Sequence, residues 1–266
     1  MEKKRLGIVG CGHLGNIVTD AICQGLLPEY ELVGVLGRDE EHARLMAEKG
    51  GCQVCHSLEE LLDTKPDYVA EMASVQMVKN MAEMVLSHGA NLVVLSIGAF
   101  ADKEFYEKVQ KTARSHKTRV HIASGAVGGF DVLRTISLME SVNGRLVRAK
   151  MVTEKGPGSL KHSPLFRESL MTDEEPAEVF SGSTKDAIAI LPTHVNVSVV
   201  ASLATSGTEH LDFHIFSVPN MTGDDHKITA EGDGLKATVD VYSRVSDIAG
   251  WSVVALLQNL VSPIMF

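Results

Sequence analysis

Three glycines near the N-terminus, Gly10, Gly12 and Gly15, stand in the spacing G-x-G-x-x-G. They follow the apolar run Leu6-Gly7-Ile8-Val9 and precede an amphipathic run carried by Ile17, Val18, Ala21, Ile22 and Leu26. A strand feeding a helix through such a loop can hold the pyrophosphate of a dinucleotide. Gly10 makes the tight turn, Gly12 admits the phosphates close to the backbone, and Gly15 lets the helix lie close to the strand. The phosphates would meet unpaired N–H groups at the positive end of that helix. His13 and Leu14 lie inside the loop and would flank the ligand. The alternative is a structural strand-to-helix turn that binds nothing.

Two further patterns invite chemistry. Cys52-Gln-Val-Cys55-His56 has the look of a metal or redox site. One C-x-x-C supplies two ligands, and His56 is too close in sequence to complete a tetrahedron. All four cysteines lie within the first 55 residues, unlike a secreted disulfide framework, so free thiols and no metal are expected. The eleven histidines are mostly unremarkable by position. His42, His88 and His116 fall on helix or loop surfaces, His121 falls in a strand, and His210 and His214 begin another. His194 and His226 stand out only through the motifs around them.

The elements that must position these residues alternate. Strands are expected at 31–36, 67–74, 91–96 and 119–123, with helices at 40–49, 75–88 and 102–115. Ser57-Leu-Glu-Glu60 reads as a capping box opening a short helix. Such alternation means a Rossmann-type, doubly wound parallel sheet of the α/β class, with ligands gathering at the carboxyl ends of its strands. Ala73, Ser74, Ser96 and Gly98 fall at those ends and are expected to touch the cofactor. The second strand ends in Gly37-Arg38-Asp39. An NAD-preferring domain usually places an acidic residue there, to bind the ribose 2′-hydroxyl. A small residue followed by Arg38 leaves room and positive charge for a 2′-phosphate, which favours NADP or dual use; the alternative is that Arg38 is a solvated loop residue.

Beyond residue 124 the pattern changes. Helices are expected at 132–142, 184–191 and 195–204, and antiparallel strands at 210–218, 226–230 and 235–242. Residues 165–178 read as loop or short helix. This describes a smaller α+β domain with a mixed or antiparallel sheet. The expected division is a dinucleotide-binding domain at 1–124 and a substrate-binding and dimerisation domain at 125–244. The apolar helix near 245–266 packs back on the first domain.

Composition narrows the function. The formal net charge is −9 with no basic block, which gives nucleic acid no electrostatic footprint. No apolar run reaches membrane-spanning length, and Met1-Glu2-Lys3-Lys4-Arg5 leads into a strand rather than a signal peptide. A cytoplasmic protein acting on a small molecule is expected.

Several stretches together resemble the L-aspartate dehydrogenase family, across nearly the whole chain. They are Gly7-Ile-Val-Gly-Cys-Gly-His-Leu-Gly15, Val69-Ala-Glu-Met-Ala-Ser74, Val94-Leu-Ser-Ile-Gly-Ala99 and Ser124-Gly-Ala-Val-Gly-Gly-Phe-Asp131, followed by Phe180-Ser-Gly182, Leu191-Pro-Thr-His-Val-Asn-Val197 and Asp224-Asp-His-Lys-Ile228. The resemblance implies NAD(P)-dependent oxidation of L-aspartate to iminosuccinate, which yields oxaloacetate and ammonia, or the reverse reductive amination. It also implies a homodimer and a product that can feed NAD biosynthesis. By motif position it implies that Ala126 and Asn196 contact the cofactor and that His226 is catalytic. Two positions depart from the family: it usually has asparagine where this chain has His194, and where it has Asp224. A carboxylate beside His226 is expected to raise its pKa and to repel a dicarboxylate. The competing expectations are a reductase of the same layout, akin to dihydrodipicolinate reductase or homoserine dehydrogenase, and a protein that senses NAD(P) without turnover.

Overall fold

The glycine-bearing strand lies inside a six-stranded parallel sheet. The computed structural model describes residues 2–191 and 195–265. Strands β1 (Lys4–Val9), β2 (Tyr30–Leu36), β3 (Gln53–Cys55), β4 (Tyr68–Glu71), β5 (Asn91–Val94) and β6 (Val120–Ile122) take the order β3-β2-β1-β4-β5-β6. The order runs outward from β1 on one side and from β4 on the other. Those two neighbours mark the switch point, outside whose carboxyl ends ligands collect in such sheets.

The crossovers carry α1 (His13–Cys23), α2 (Glu40–Gly50), α3 (Leu58–Asp63), α4 (Val75–Ser87) and α5 (Lys103–His116). Four of them start on a side chain that takes up a free N–H of the first turn. Asp39, Ser57, Ser74 and Asp102 accept from His42, Glu60, Met77 and Phe105 respectively. The expected capping box at Ser57 is displaced by one residue, because Glu60 reaches past Ser57 to the N–H of His56 (2.8 Å). Helix α1 differs: it starts at Gly12 with no side-chain cap.

The chain divides into two units, Met1–Gly125 with Asp247–Phe266, and Ala126–Ser246. The second contains α6 (Phe130–Val142), β7 (Arg148–Lys155), β8 (Ala177–Ser183), α7 (Thr184–Ile190), α8 (Asn196–Ala204), β9 (Asp212–Ser217), β10 (Asp224–Gly232) and β11 (Leu235–Ser243). Its sheet runs β11-β10-β7-β9-β8. It is mixed: β10 is antiparallel to β11 and β7, β7 is parallel to β9, and β8 is antiparallel to β9. Alternation gives it one buried face, with Ala149, Met151, Thr153, Phe213, Ile215, His226, Ile228 and Ala230 pointing inward. The other face carries ion pairs such as Lys227–Asp240 and Lys150–Asp212.

The loop or short helix expected over 165–178 is present as far as 176, and only the last two residues of that stretch open strand β8. Its first residues, Ala177 and Glu178, pair with Ser217 and Phe216. An edge strand packs on one side only, and Phe180 is its buried apolar side chain, so the strand needs little apolar signal. A turn of 3₁₀ helix, Glu168–Met171, lies within the stretch ahead of β8, after another at Pro157–Leu160.

The last helix, α9 (Asp247–Val261), belongs to the first unit. Val253, Val254 and Leu257 join the core formed by Leu6, Ile8, Val18 and Tyr30. The Tyr30 hydroxyl donates to the Leu257 carbonyl (2.8 Å). Gly250 permits this approach, since a Cβ there would lie 2.8 Å from Ile17 Cδ1. Among the described residues no helix is long and apolar enough to cross a membrane.

Candidate active site

The three loop glycines are glycine for different reasons. Gly10 has φ +111°, and a Cβ on it would sit 2.5 Å from the Met72 carbonyl oxygen. A Cβ on Gly15 would sit 2.0 Å from the Gly10 oxygen. Both follow from the protein's own packing. Gly12 is exposed, and a Cβ on it would meet no atom within 4 Å. Its missing side chain leaves space in front of the uncapped start of α1, which is the shape a pyrophosphate requires. His13 is exposed, with Nε2 2.7 Å from Asp247 Oδ1, and Leu14 is half-buried behind it.

At the switch point a buried carboxylate gathers three expected cofactor contacts. Glu71, fully buried at the end of β4, accepts at Oε1 from the N–H groups of Ala73 (2.7 Å) and Ser74 (2.8 Å). Its Oε2 accepts from the N–H of Ser96 (3.1 Å). Burial pushes this carboxyl above the usual range, and those N–H groups only partly pull it back. The donors of Ala73, Ser74 and Ser96 are therefore engaged by the protein itself. Gly98 follows in the 3₁₀ turn Ile97–Ala101. Sequence reasoning passed over Glu71; the signal was an ionisable residue closing an otherwise apolar strand.

At the end of β2, Gly37 is explained by packing: a Cβ there would lie 2.8 Å from both Cβ and Sγ of Cys11. Arg38 is exposed and, among the described residues, makes no hydrogen bond or ion pair. The four cysteines are free thiols. Burial pushes Cys11 up to about 11, and burial together with Cys55 and Cys11 pushes Cys52 up to about 12, so neither is a ready thiolate.

His226 lies on the buried face of the second unit, 6% exposed. Its Nδ1 is 3.0 Å from Oγ1 of buried Thr153, its cross-strand partner. One step along, Lys155 Nζ donates to Asp224 Oδ2 at 2.7 Å, also directly across the strands. Asp224 does push the His226 pKa up, as expected, but it is outweighed. Burial, and then the Lys155 ammonium, push it down to about 4, with Asp224 a smaller opposing influence. Asp224 has its charge met by Lys155, while desolvation disfavours the imidazolium. Asn196 is half-buried at the start of α8, and Ala126 is half-buried ahead of α6. His194 lies outside the described residues.

An open glycine cradle at the switch point of a doubly wound parallel sheet is the geometry of an NAD(P)-binding protein, joined in this chain to a second, mixed-sheet unit that holds a buried histidine. Residues 10–123 match the model of the homoserine dehydrogenase NAD binding domain, and residues 131–260 match that of the aspartate dehydrogenase C-terminal domain. The chain is 32% identical to an L-aspartate dehydrogenase of Methanococcus maripaludis and 28% identical to one of Methanocaldococcus jannaschii, over 98% of both chains in each case. Its fold is that of a crystal structure of aspartate dehydrogenase from Thermotoga maritima, with TM-score 0.79, 24% identity and full coverage of both chains. The chain belongs to the L-aspartate dehydrogenase family.

Proposed function

We infer that the protein oxidises L-aspartate to iminosuccinate with NAD(P), or runs the reverse reductive amination of oxaloacetate. The observation that carries the reading is His226, buried and 3.0 Å from the Thr153 hydroxyl, in the part of the chain matched by the aspartate dehydrogenase model. When bound, NAD(P) supplies the hydride acceptor for C2 of the amino acid. Gly10, Gly12 and Gly15 shape its pyrophosphate site, and His13, Leu14, Ala73, Ser74, Ser96, Gly98, Ala126 and Asn196 are the further contacts we assign to it. Arg38 is free to take a 2′-phosphate.

His226 handles the protons. The Thr153 hydroxyl can accept from Nδ1–H, which leaves Nε2 as the base for the amine or for the water that adds to the imine. Turned to donate, it fixes the other tautomer, and Nε2 then carries the proton as the acid. The first unit serves the cofactor and the second the substrate and a homodimer contact, in a cytoplasmic enzyme whose iminosuccinate can feed NAD biosynthesis. The test is loss of reduced-nicotinamide absorbance with oxaloacetate and ammonia, compared with other keto acids. Absence of turnover with oxaloacetate overturns the reading.

A further inference from the structure

The ion pair beside His226 bears on how this protein selects among anions. Strands β7 and β10 set Thr153 opposite His226 and Lys155 opposite Asp224. Residues two apart on a strand share a face, so these four side chains form two adjacent rows on the inner face of the sheet. The rows are about 7 Å apart, two residues of extended chain. The His226–Thr153 row is buried. The Lys155–Asp224 row is its outer neighbour, with side chains 26% and 36% exposed. Lys155 and Asp224 are the charges felt by the imidazole. An ammonium has three donors on a compact charge, and Asp224 engages one of them. An entering carboxylate therefore finds a cation one row from His226, and also a fixed carboxylate already on it.

We propose that Lys155 binds a carboxylate of the substrate and that Asp224 competes for the same ammonium, so that this pair sets the affinity for dicarboxylates. The proposal rests on the reading of L-aspartate or oxaloacetate as substrate. Like charges brought together in a half-desolvated site oppose binding, and an ion pair already formed must be shared or broken first. Asp224→Asn keeps the shape and an oxygen acceptor for Lys155 but removes the competing charge. Lys155→Met removes the cation and keeps the stem.

The experiment uses the protein saturated with NADH, with malonate as a non-reacting dicarboxylate in calorimetry and oxaloacetate in turnover. Asp224→Asn is expected to tighten malonate binding and lower KM for oxaloacetate, each on the order of tenfold. Lys155→Met is expected to weaken malonate binding at least about tenfold, while Lys155→Arg, which keeps the charge, binds it within a few-fold of the original chain. In the Lys155→Met background the Asp224→Asn gain is expected to vanish, because it acts through the ammonium. Unchanged or weaker malonate binding by a folded Asp224→Asn variant overturns the proposal, as does an equal gain without Lys155. Thermal unfolding of each variant confirms the fold, and Lys155→Arg gives a second reading if Lys155→Met does not fold. If malonate shows this pattern but oxaloacetate and L-aspartate are not turned over, the substrate reading fails and the anion site stands. Turnover without the pattern sinks this proposal alone.

Discussion

Gly12→Val separates a cofactor loop from a merely structural turn. The substituted side chain would meet no protein atom at its Cβ, and the backbone (φ −84°, ψ −163°) suits any residue. The stability loss is then that of a poor cap, about 1 kcal/mol or less, or up to roughly 4 °C in Tm for a chain of this size. Gly15→Ala is the contrasting variant. Its Cβ would lie 2.0 Å from the Gly10 carbonyl oxygen, a backbone atom that cannot swing aside. Overpacking of that kind costs about 1–3 kcal/mol or more, which is roughly 2–12 °C. A valine at position 12 occupies the pyrophosphate's place and removes at least two charge-assisted hydrogen bonds, so NADH affinity is expected to fall about 10²–10⁴-fold. Fluorescence titration of NADH and thermal unfolding on the same samples give both numbers. Unchanged NADH affinity in Gly12→Val would remove the cofactor from this loop. A Tm loss as large as that of Gly15→Ala would show that position 12 is packed after all.

His226→Ala is expected to lose about 10²–10⁴-fold in turnover while keeping its NADH affinity; near-normal turnover refutes its assignment. Arg38→Ala is expected to weaken NADPH more than NADH, since only the former carries the 2′-phosphate that a guanidinium can fork onto. Equal losses in the two titrations would make Arg38 a bystander.

The fold was legible because its signals are local. Alternating apolar strands and amphipathic helices gave the parallel sheet, and the helix starts expected at 40, 75 and 102 fall within a residue of those of α2, α4 and α5. Strand β8 was not legible, since an edge strand containing Glu178, Ser181 and Gly182 is held by pairing with β9 rather than by its own pattern. Within the site most of what was missed is non-local. Glu71 acts on Ser96, 25 residues away. Gly37 owes its lack of a side chain to Cys11. The sign of the His226 shift turned first on burial in the sheet and then on Lys155, which lies 69 residues from the Asp224 it pairs with. Spacing reveals which residues share an element; it does not reveal which charge arrives from the neighbouring strand.

That neighbouring charge makes the basicity of His226 depend on what occupies the site. With a pKa of about 4 the imidazole is neutral at pH 7, so it is free to accept a proton but is a weak base. Two causes hold it down, burial first and the Lys155 ammonium second. A carboxylate bound at Lys155 leaves the burial in place but cancels the positive potential and adds a negative one, and both changes favour the imidazolium. The sign is therefore upward, toward the range in which a general base works best near neutrality. A rise of about one unit corresponds to about 1.4 kcal/mol of added interaction with the charged ring. The measurement is an NMR titration of the His226 ring resonances, assigned by their loss in His226→Gln, without ligand and with saturating malonate. The ring is expected to titrate near 4 alone and about a unit higher with malonate, and the increment should disappear in Lys155→Met. A ring that titrates at the same pH in both states, or near 6.5 without ligand, would refute the reasoning. In the first case the bound carboxylate does not lie beside the histidine; in the second the imidazole is not desolvated as its burial requires.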